Sequence, residues 1–137
     1  MAAGHRIETE SELRALIGTP AEIVCAKVTD RLNPLTCRYI ERSPFVCVAT
    51  SDPDGNCDLS PRGDPAGFVH VLDDRTLLLP ERPGNRIADT LRNILANPEV
   101  EVQVGTQKLK ARARTATGEE RARLWQEALK FWPPYAD

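Results

Sequence analysis

The chain has 137 residues, enough for one hydrophobic core and not two, and its 41% hydrophobic and 28% charged residues are ordinary for a soluble domain. Lys and Arg number 18 against 20 Asp and Glu, so a net charge of -2 gives no bulk electrostatic reason to bind nucleic acid or an anionic membrane. No apolar run approaches the length of a membrane span, and the opening MAAGHRIETESELR lacks the apolar core of a secretory signal, so a cytoplasmic protein is expected.

The first third reads as helical. Thr9 and Glu12 have capping-box spacing, which predicts a short helix through Leu13, Leu16 and Ile17 ending at Gly18. Thr19-Pro20-Ala21-Glu22 repeats the start signal, with Pro20 at the first helical position. Ile23, Val24, Val28 and Leu32 then predict an apolar helical stripe interrupted at Asn33-Pro34, and Leu35 to Arg42 adds another turn or two before Ser43-Pro44. From Phe45 the period changes to two. Phe45 to Thr50 predicts a strand, Asp54-Gly55 a hairpin turn, and Asn56 to Ser60 the returning strand. Phe68 to Leu72 and Thr76 to Leu79 predict a second hairpin, followed by a helix over 85–96 that Asn97-Pro98 ends. Val100, Val102 and Val104 alternate with polar residues, as do Leu109, Ala111 and Ala113, which predicts a third hairpin around Gly105-Thr106. Thr117-Gly118-Glu119-Glu120 is a further capping box, opening a helix that carries Leu124, Trp125, Ala128, Leu129 and Trp132. Three hairpins with one inserted helix predict an α+β domain built on a small antiparallel barrel.

The four cysteines, Cys25, Cys37, Cys47 and Cys57, include no C-x-x-C pair, and with only His5 and His70 no zinc constellation or other metal site is expected. Buried reduced thiols are the plain expectation. The densest chemical signal is Arg82 and Arg86, on either side of Pro83-Gly84 where the helix over 85–96 is expected to start. Cations there are opposed by the helix dipole, so an anion is expected to compensate them, with Asn85 and free backbone N–H groups as further donors. A phosphate-bearing ligand is the first hypothesis. Ser60, Arg62, Gly63 and Asp64 form a second cluster, which the residues alone leave open between a ligand site and a loop held by an ion pair. The stripe Lys108, Lys110, Arg112 and Arg114 is expected to pair with Glu101 across its hairpin rather than to bind nucleic acid. Trp132 and Tyr135 are candidates for lining a substrate pocket, and His70 is expected on the face of its strand away from Val69 and Val71.

The segment LSPRGDPAGFVHVLDDRTLLLPERPGNRIADTLRNILANPEV resembles the pyridoxamine 5'-phosphate oxidase-like flavoproteins, which are FMN-binding split β-barrels. The likeness runs over about residues 13–102 and rests on Ser60-Pro61-Arg62-Gly63-Asp64 and Arg82-Pro83-Gly84-Asn85-Arg86. From about residue 97 the chain is similar instead to deazaflavin-dependent nitroreductases, through Gly118-Glu119-Glu120-Arg121-Ala122-Arg123-Leu124-Trp125 and the Pro-Pro-Tyr-Ala-Asp ending. The two resemblances meet near Asn97 to Val102, as in a natural mosaic or an engineered chimera on one shared fold.

The resemblances imply a single split-barrel domain over 1–137, with a helical extension over 1–43, barrel strands over 44–115 and a C-terminal helix and tail over 116–137. They imply a homodimer with cofactor at the interface, FMN first and a deazaflavin coenzyme as the alternative, and hydride exchange with a small molecule. Arg82, Asn85 and Arg86 would hold the phosphate. Ser60, Arg62, Gly63 and Asp64 would lie along the cofactor, Arg62 toward the ring's oxygen edge or the phosphate. Leu79 and Pro80 would touch ring or ribityl chain, and Thr50 and Ser51 are secondary candidates. The nitroreductase branch continues into a further strand, so one barrel strand is expected to be missing or supplied by a partner. A non-catalytic split-barrel protein is the reading from a different class.

Overall fold

A computed structural model describes residues 6–81 and 86–130. The chain divides into two compact units, residues 1–30 and 31–137. In the first, α1 (Glu10–Ile17) starts at Thr9 as predicted: the Thr9 hydroxyl accepts from the Glu12 N–H at 3.2 Å and the Glu12 carboxylate accepts from the Thr9 N–H at 3.1 Å. The stripe expected from Ile23 to Leu32 is not one helix. α2 is only Glu22–Cys25, and its cap, Ala21, offers no side-chain bond. The N–H groups of Lys27 and Val28 then reach back three residues, to Val24 at 3.3 Å and Cys25 at 3.0 Å. β-branched Ile23 and Val24 lose rotamer freedom in a helix, and so short a run cannot sustain itself.

In the second unit Asn33-Pro34, expected as an interruption, is a helix start. The Asn33 side chain accepts from the Thr36 N–H at 2.9 Å and Pro34 opens α3 (Pro34–Glu41), where its missing N–H costs nothing. The strands β1 (Phe45–Ser51) and β2 (Cys57–Gly63) form the first hairpin, in register from Phe45 opposite Gly63 to Ser51 opposite Cys57. β2 runs three residues past the expected end and through Pro61. It can do so because β2 is an edge strand, where a missing donor is tolerated.

The second hairpin is shorter than expected, with only β3 (His70–Val71) and β4 (Leu77–Leu78). The Phe68 N–H is committed to the Pro65 carbonyl at 3.2 Å, a turn that keeps it out of the ladder. α4 (Asp89–Ala96) starts four residues later than expected, because Arg86 and Ala88 hold left-handed backbone, with φ of 66° and 59°. The third hairpin, β5 (Glu99–Val104) and β6 (Gln107–Arg112), and then α5 (Gly118–Leu129) complete the described elements. The capping box expected at α5 does not close. Thr117 makes no side-chain cap bond, and the Glu120 carboxylate instead accepts from Arg114 at 2.6 and 2.7 Å.

The α+β class with antiparallel sheets is as the sequence predicts. The described strands pair as a four-stranded sheet in the order β2-β1-β5-β6 and a separate ladder of β3 with β4. Ile40 of α3, Val46 and Val48 of β1, Phe68, Val69 and Val104 form the core, with Leu32, Val71, Leu77, Leu79, Val102 and Leu109 packed against it. Each buried apolar side chain of this size contributes roughly 1.5–3 kcal/mol. The cysteines depart from expectation: Cys25 and Cys57 are exposed, Cys37 and Cys47 half-buried, and all are free thiols. Glu101 stands opposite Lys110 and lies 3.9 Å from Lys108, and Arg112 reaches Glu99 at 2.6 Å, so three cations of the stripe face acids across the hairpin as expected, while Arg114 pairs instead with Glu120 of α5. Among the described residues no helix is long and apolar enough to cross a membrane.

Two local features carry tests. Gly105 opens the β5–β6 turn at φ +54°, and a Cβ there would overlap the Tyr39 hydroxyl and stand 3.0 Å from its Cζ. Overpacking and left-handed strain act together, so Gly105→Ala should cost about 2–4 kcal/mol in denaturant unfolding, with partial recovery when combined with Tyr39→Leu. In the first hairpin the Asp52 carboxylate accepts from the Asn56 side chain at 2.8 Å and from the N–H groups of Asn56 and Asp54 at 2.9 and 3.0 Å. These bonds, that of the Asn56 side chain first, hold its pKa below the ordinary 3.8. A depressed folded pKa contributes stability above the unfolded value and loses it as pH falls through the folded one. Asp52→Ala should therefore lower the melting temperature at neutral pH, and its gap from the parent chain should close in acid below the ordinary carboxylate range.

Candidate functional site

Alternation along β2 half-buries Asp58, Ser60 and Arg62 on one face and leaves Leu59 and Pro61 exposed on the other. A cleft of about 320 Å³ lies between β2, Glu81 beyond β4, and the start of α4. Asp58, Ser60, Arg62, Glu81, Asp89 and Thr90 supply its polar lining, and Leu59, Pro61, Ile87, Ala88 and Leu91 its apolar lining. The run from Ser60 to Gly63, open between ligand site and loop in the sequence, is regular strand.

At one end of the cleft, α4 is seated on the ends of β1 and β2 by polar contacts. The Asn93 amide donates to the buried Thr50 hydroxyl at 3.0 Å, the Asn97 amide donates to Ser51 Oγ at 2.9 Å, and the Thr90 hydroxyl donates to Asp58 at 3.4 Å. Thr50 and Ser51, secondary site candidates in the sequence, are occupied in holding this helix.

Arg62 is the centre of the cleft chemistry. Its side chain is only 17% exposed, and Nη1 forms an ion pair with the Glu81 carboxylate. Its Nε is buried and makes no hydrogen bond. A buried donor left unmade costs about 1–3 kcal/mol. Among the described residues, three carboxylates, of Asp58, Glu81 and Asp89, line the cleft with the Arg62 guanidinium. They do not converge, and no group of metal-ligating side chains is found among the described residues.

The expected site residues divide. Ser60 and Arg62 line the cleft together. Gly63 closes β2 opposite Phe45 and the Asp64 N–H donates to the Pro44 carbonyl at 3.0 Å, so both sit at the strand's far end. Leu79 packs on the core, and Pro80 is half-buried but does not line the cleft. Arg86 is exposed and also outside the lining. α4 starts three residues beyond it, at Asp89, an acid that itself suits the positive end of the dipole. Arg82, Asn85, Trp132 and Tyr135 lie outside the described residues. His70 lies away from the cleft, half-buried, with burial pushing its pKa below 6.5 against the opposing pull of Glu127 and Glu41. Sequence reasoning missed Asp58, Glu81, Asp89 and Thr90. The alternation Asp58-x-Ser60-x-Arg62 would have found the first.

The family model described as F420H(2)-dependent quinone reductase matches residues 53–137. The chain belongs to this family. Its stretch contains every residue that lines the cleft. The F420H(2)-dependent quinone reductase match also runs unbroken through residues 97–102, where two resemblances were expected to meet. One family thus covers both sequence signals, and the mosaic or chimera reading has no support. The family names a deazaflavin, the alternative of the two expected cofactors, in place of FMN. A solved structure of an F420-H2 dependent reductase (FDR-A) is 30% identical, over 68% of this chain and 80% of that one, with a TM-score of 0.44.

The seating of α4 is testable. Asn93→Leu should leave the Thr50 hydroxyl buried and unpaired and cost about 1–3 kcal/mol. The double variant with Thr50→Val should regain most of that loss in chemical unfolding, since both polar partners are then gone.

Proposed function

We propose that this protein is a deazaflavin-dependent oxidoreductase of split-barrel type that passes a hydride to a quinone-class small molecule, with the ring of the cofactor in the cleft of β2 and α4. The observation that carries the reading is the cleft itself: its described lining is wholly family-matched sequence and joins the Glu81-paired Arg62 guanidinium to apolar Leu59, Ile87 and Leu91. The residues fit a flat ring with a polar edge. Leu59 and Ile87, 62% and 58% exposed, offer apolar surface for its face, and Arg62 and Ser60 offer donors for its edge.

When bound, the reduced deazaflavin supplies a hydride, two electrons with one proton. Reduction of a quinone to a quinol needs a second proton, which solvent reaching this open cleft can deliver. The chain's own task is to bind, orient and exclude. Arg62, with Ser60, fixes the edge of the ring, while Leu59, Ile87 and Leu91 cover its face. Arg86, together with Arg82 and Asn85, is assigned to the phosphate-bearing tail. Left-handed Arg86 and Ala88 support this, because strain of that kind gathers where a chain is shaped for a ligand. Pairing as a homodimer belongs to the same proposal, a second copy closing the cleft over the ring.

Fluorescence titration of the purified protein with F420 and with FMN tests the assignment. Tight binding of F420 that excess FMN does not displace is expected, with Arg62→Ala weakening it about tenfold or more, the worth of one charge-assisted hydrogen bond. Reduction of a soluble naphthoquinone by the reduced cofactor should follow. FMN binding without F420 binding overturns the proposal.

A further inference from the structure

We infer that Glu81 is a positioning residue that turns Arg62 from a phosphate ligand into a reader of a neutral carbonyl edge. The inference rests on the proposal that the cleft takes the ring of a deazaflavin, and it decides between the two partners, ring edge or phosphate, that the sequence leaves open for Arg62.

A guanidinium presents its donors in one rigid plane, so fixing one nitrogen fixes the direction of the others. Glu81 grips Nη1. The guanidinium is carried by the half-buried face of β2, and Glu81 lies three residues past β4, so a strand and a separate segment together set the plane before any ligand arrives. Of the donors that Glu81 does not hold, Nε is buried and without a hydrogen bond, and the Nη groups carry the directed N–H bonds a ligand can meet. Glu81 also alters what Arg62 can recognise. Its carboxylate cancels the local positive charge, and Asp58 and Asp89 add further negative charge to the described lining. Among the described lining residues a dianionic phosphate would meet three carboxylates and one cation. A carbonyl or ring-nitrogen acceptor carries no net charge and needs only a directed donor, which the pinned guanidinium supplies. Arg62 without Glu81 would be a free cation suited to phosphate; with Glu81 it is suited to the ring.

The test uses two chromophores that share a ring: F420, and deazariboflavin, which lacks the phosphate-bearing tail. Both are titrated by fluorescence against the parent chain and Glu81→Gln, with circular dichroism confirming that the variant is folded. Glu81→Gln should weaken both chromophores by a similar factor, about tenfold. It should also strengthen competition by inorganic phosphate, which a merely structural role for Glu81 would not do. A loss confined to F420, with deazariboflavin unaffected, overturns the ring-edge assignment and returns Arg62 to the phosphate. Heteronuclear NMR of the ligand-free protein gives a second readout. The Arg62 Nε–H resonance should be sharp and slow to exchange in the parent chain and lost in Glu81→Gln; persistence in the variant overturns the positioning role. If neither chromophore binds the parent chain, the cofactor proposal fails and the ring-edge assignment with it, while the NMR result still decides whether Glu81 holds Arg62.

Discussion

The register between β1 and β2 decides what the cleft contains. Val46, Val48 and Thr50 are the buried alternating face of β1, and their cross-strand partners are Arg62, Ser60 and Asp58. The apolar side of one strand thereby fixes the facing of the polar side of its neighbour. A slip of one residue would turn Asp58, Ser60 and Arg62 away and put Leu59 and Pro61 in their place. The slip is resisted from the other edge as well, since β5 pairs with β1 from Cys47 opposite Gln103 to Ala49 opposite Glu101. Burial of Val46 and Val104, both fully enclosed, is thus the physical origin of the site's chemistry.

Element order was legible because the hydrophobic period changes cleanly at Phe45, and the hairpin turns carry their own signals at Asp54-Gly55 and Gly105-Thr106. Errors fell where local and tertiary demands diverge. Asn33-Pro34 reads equally as a stop or a start, and only the Thr36 N–H bonded to Asn33 shows which. Glu120 has the spacing to complete a capping box, yet a bidentate contact with Arg114 outcompetes the helix's own N–H. Pro61 argued for a loop because nothing in the residues announces that β2 lies at an edge.

The site was half legible. Ser60 and Arg62 stood out by their neighbours, Pro61 and Gly63. Glu81 did not, because its significance is a contact with a residue nineteen positions away, across a separate ladder. The start of α4 was placed too early since amphipathic spacing cannot register that Arg86 and Ala88 are left-handed. The cofactor expectation erred in a related way. Motifs of the strand region pointed to one flavin and the last helix to another, while the family match joins both regions.

The two outer strands of the four-stranded sheet differ in kind, and together they restrict how copies of this protein can meet. β2 carries Pro61, which removes a donor from its ladder, and β6 carries Lys108, Lys110 and Arg112. Neither border offers the uninterrupted, uncharged backbone on which a foreign strand could template itself. Among the described strands, edge-to-edge growth of the sheet is disfavoured at both borders. The proline that sits beside Arg62 in β2 therefore doubles as a guard against strand addition at that border.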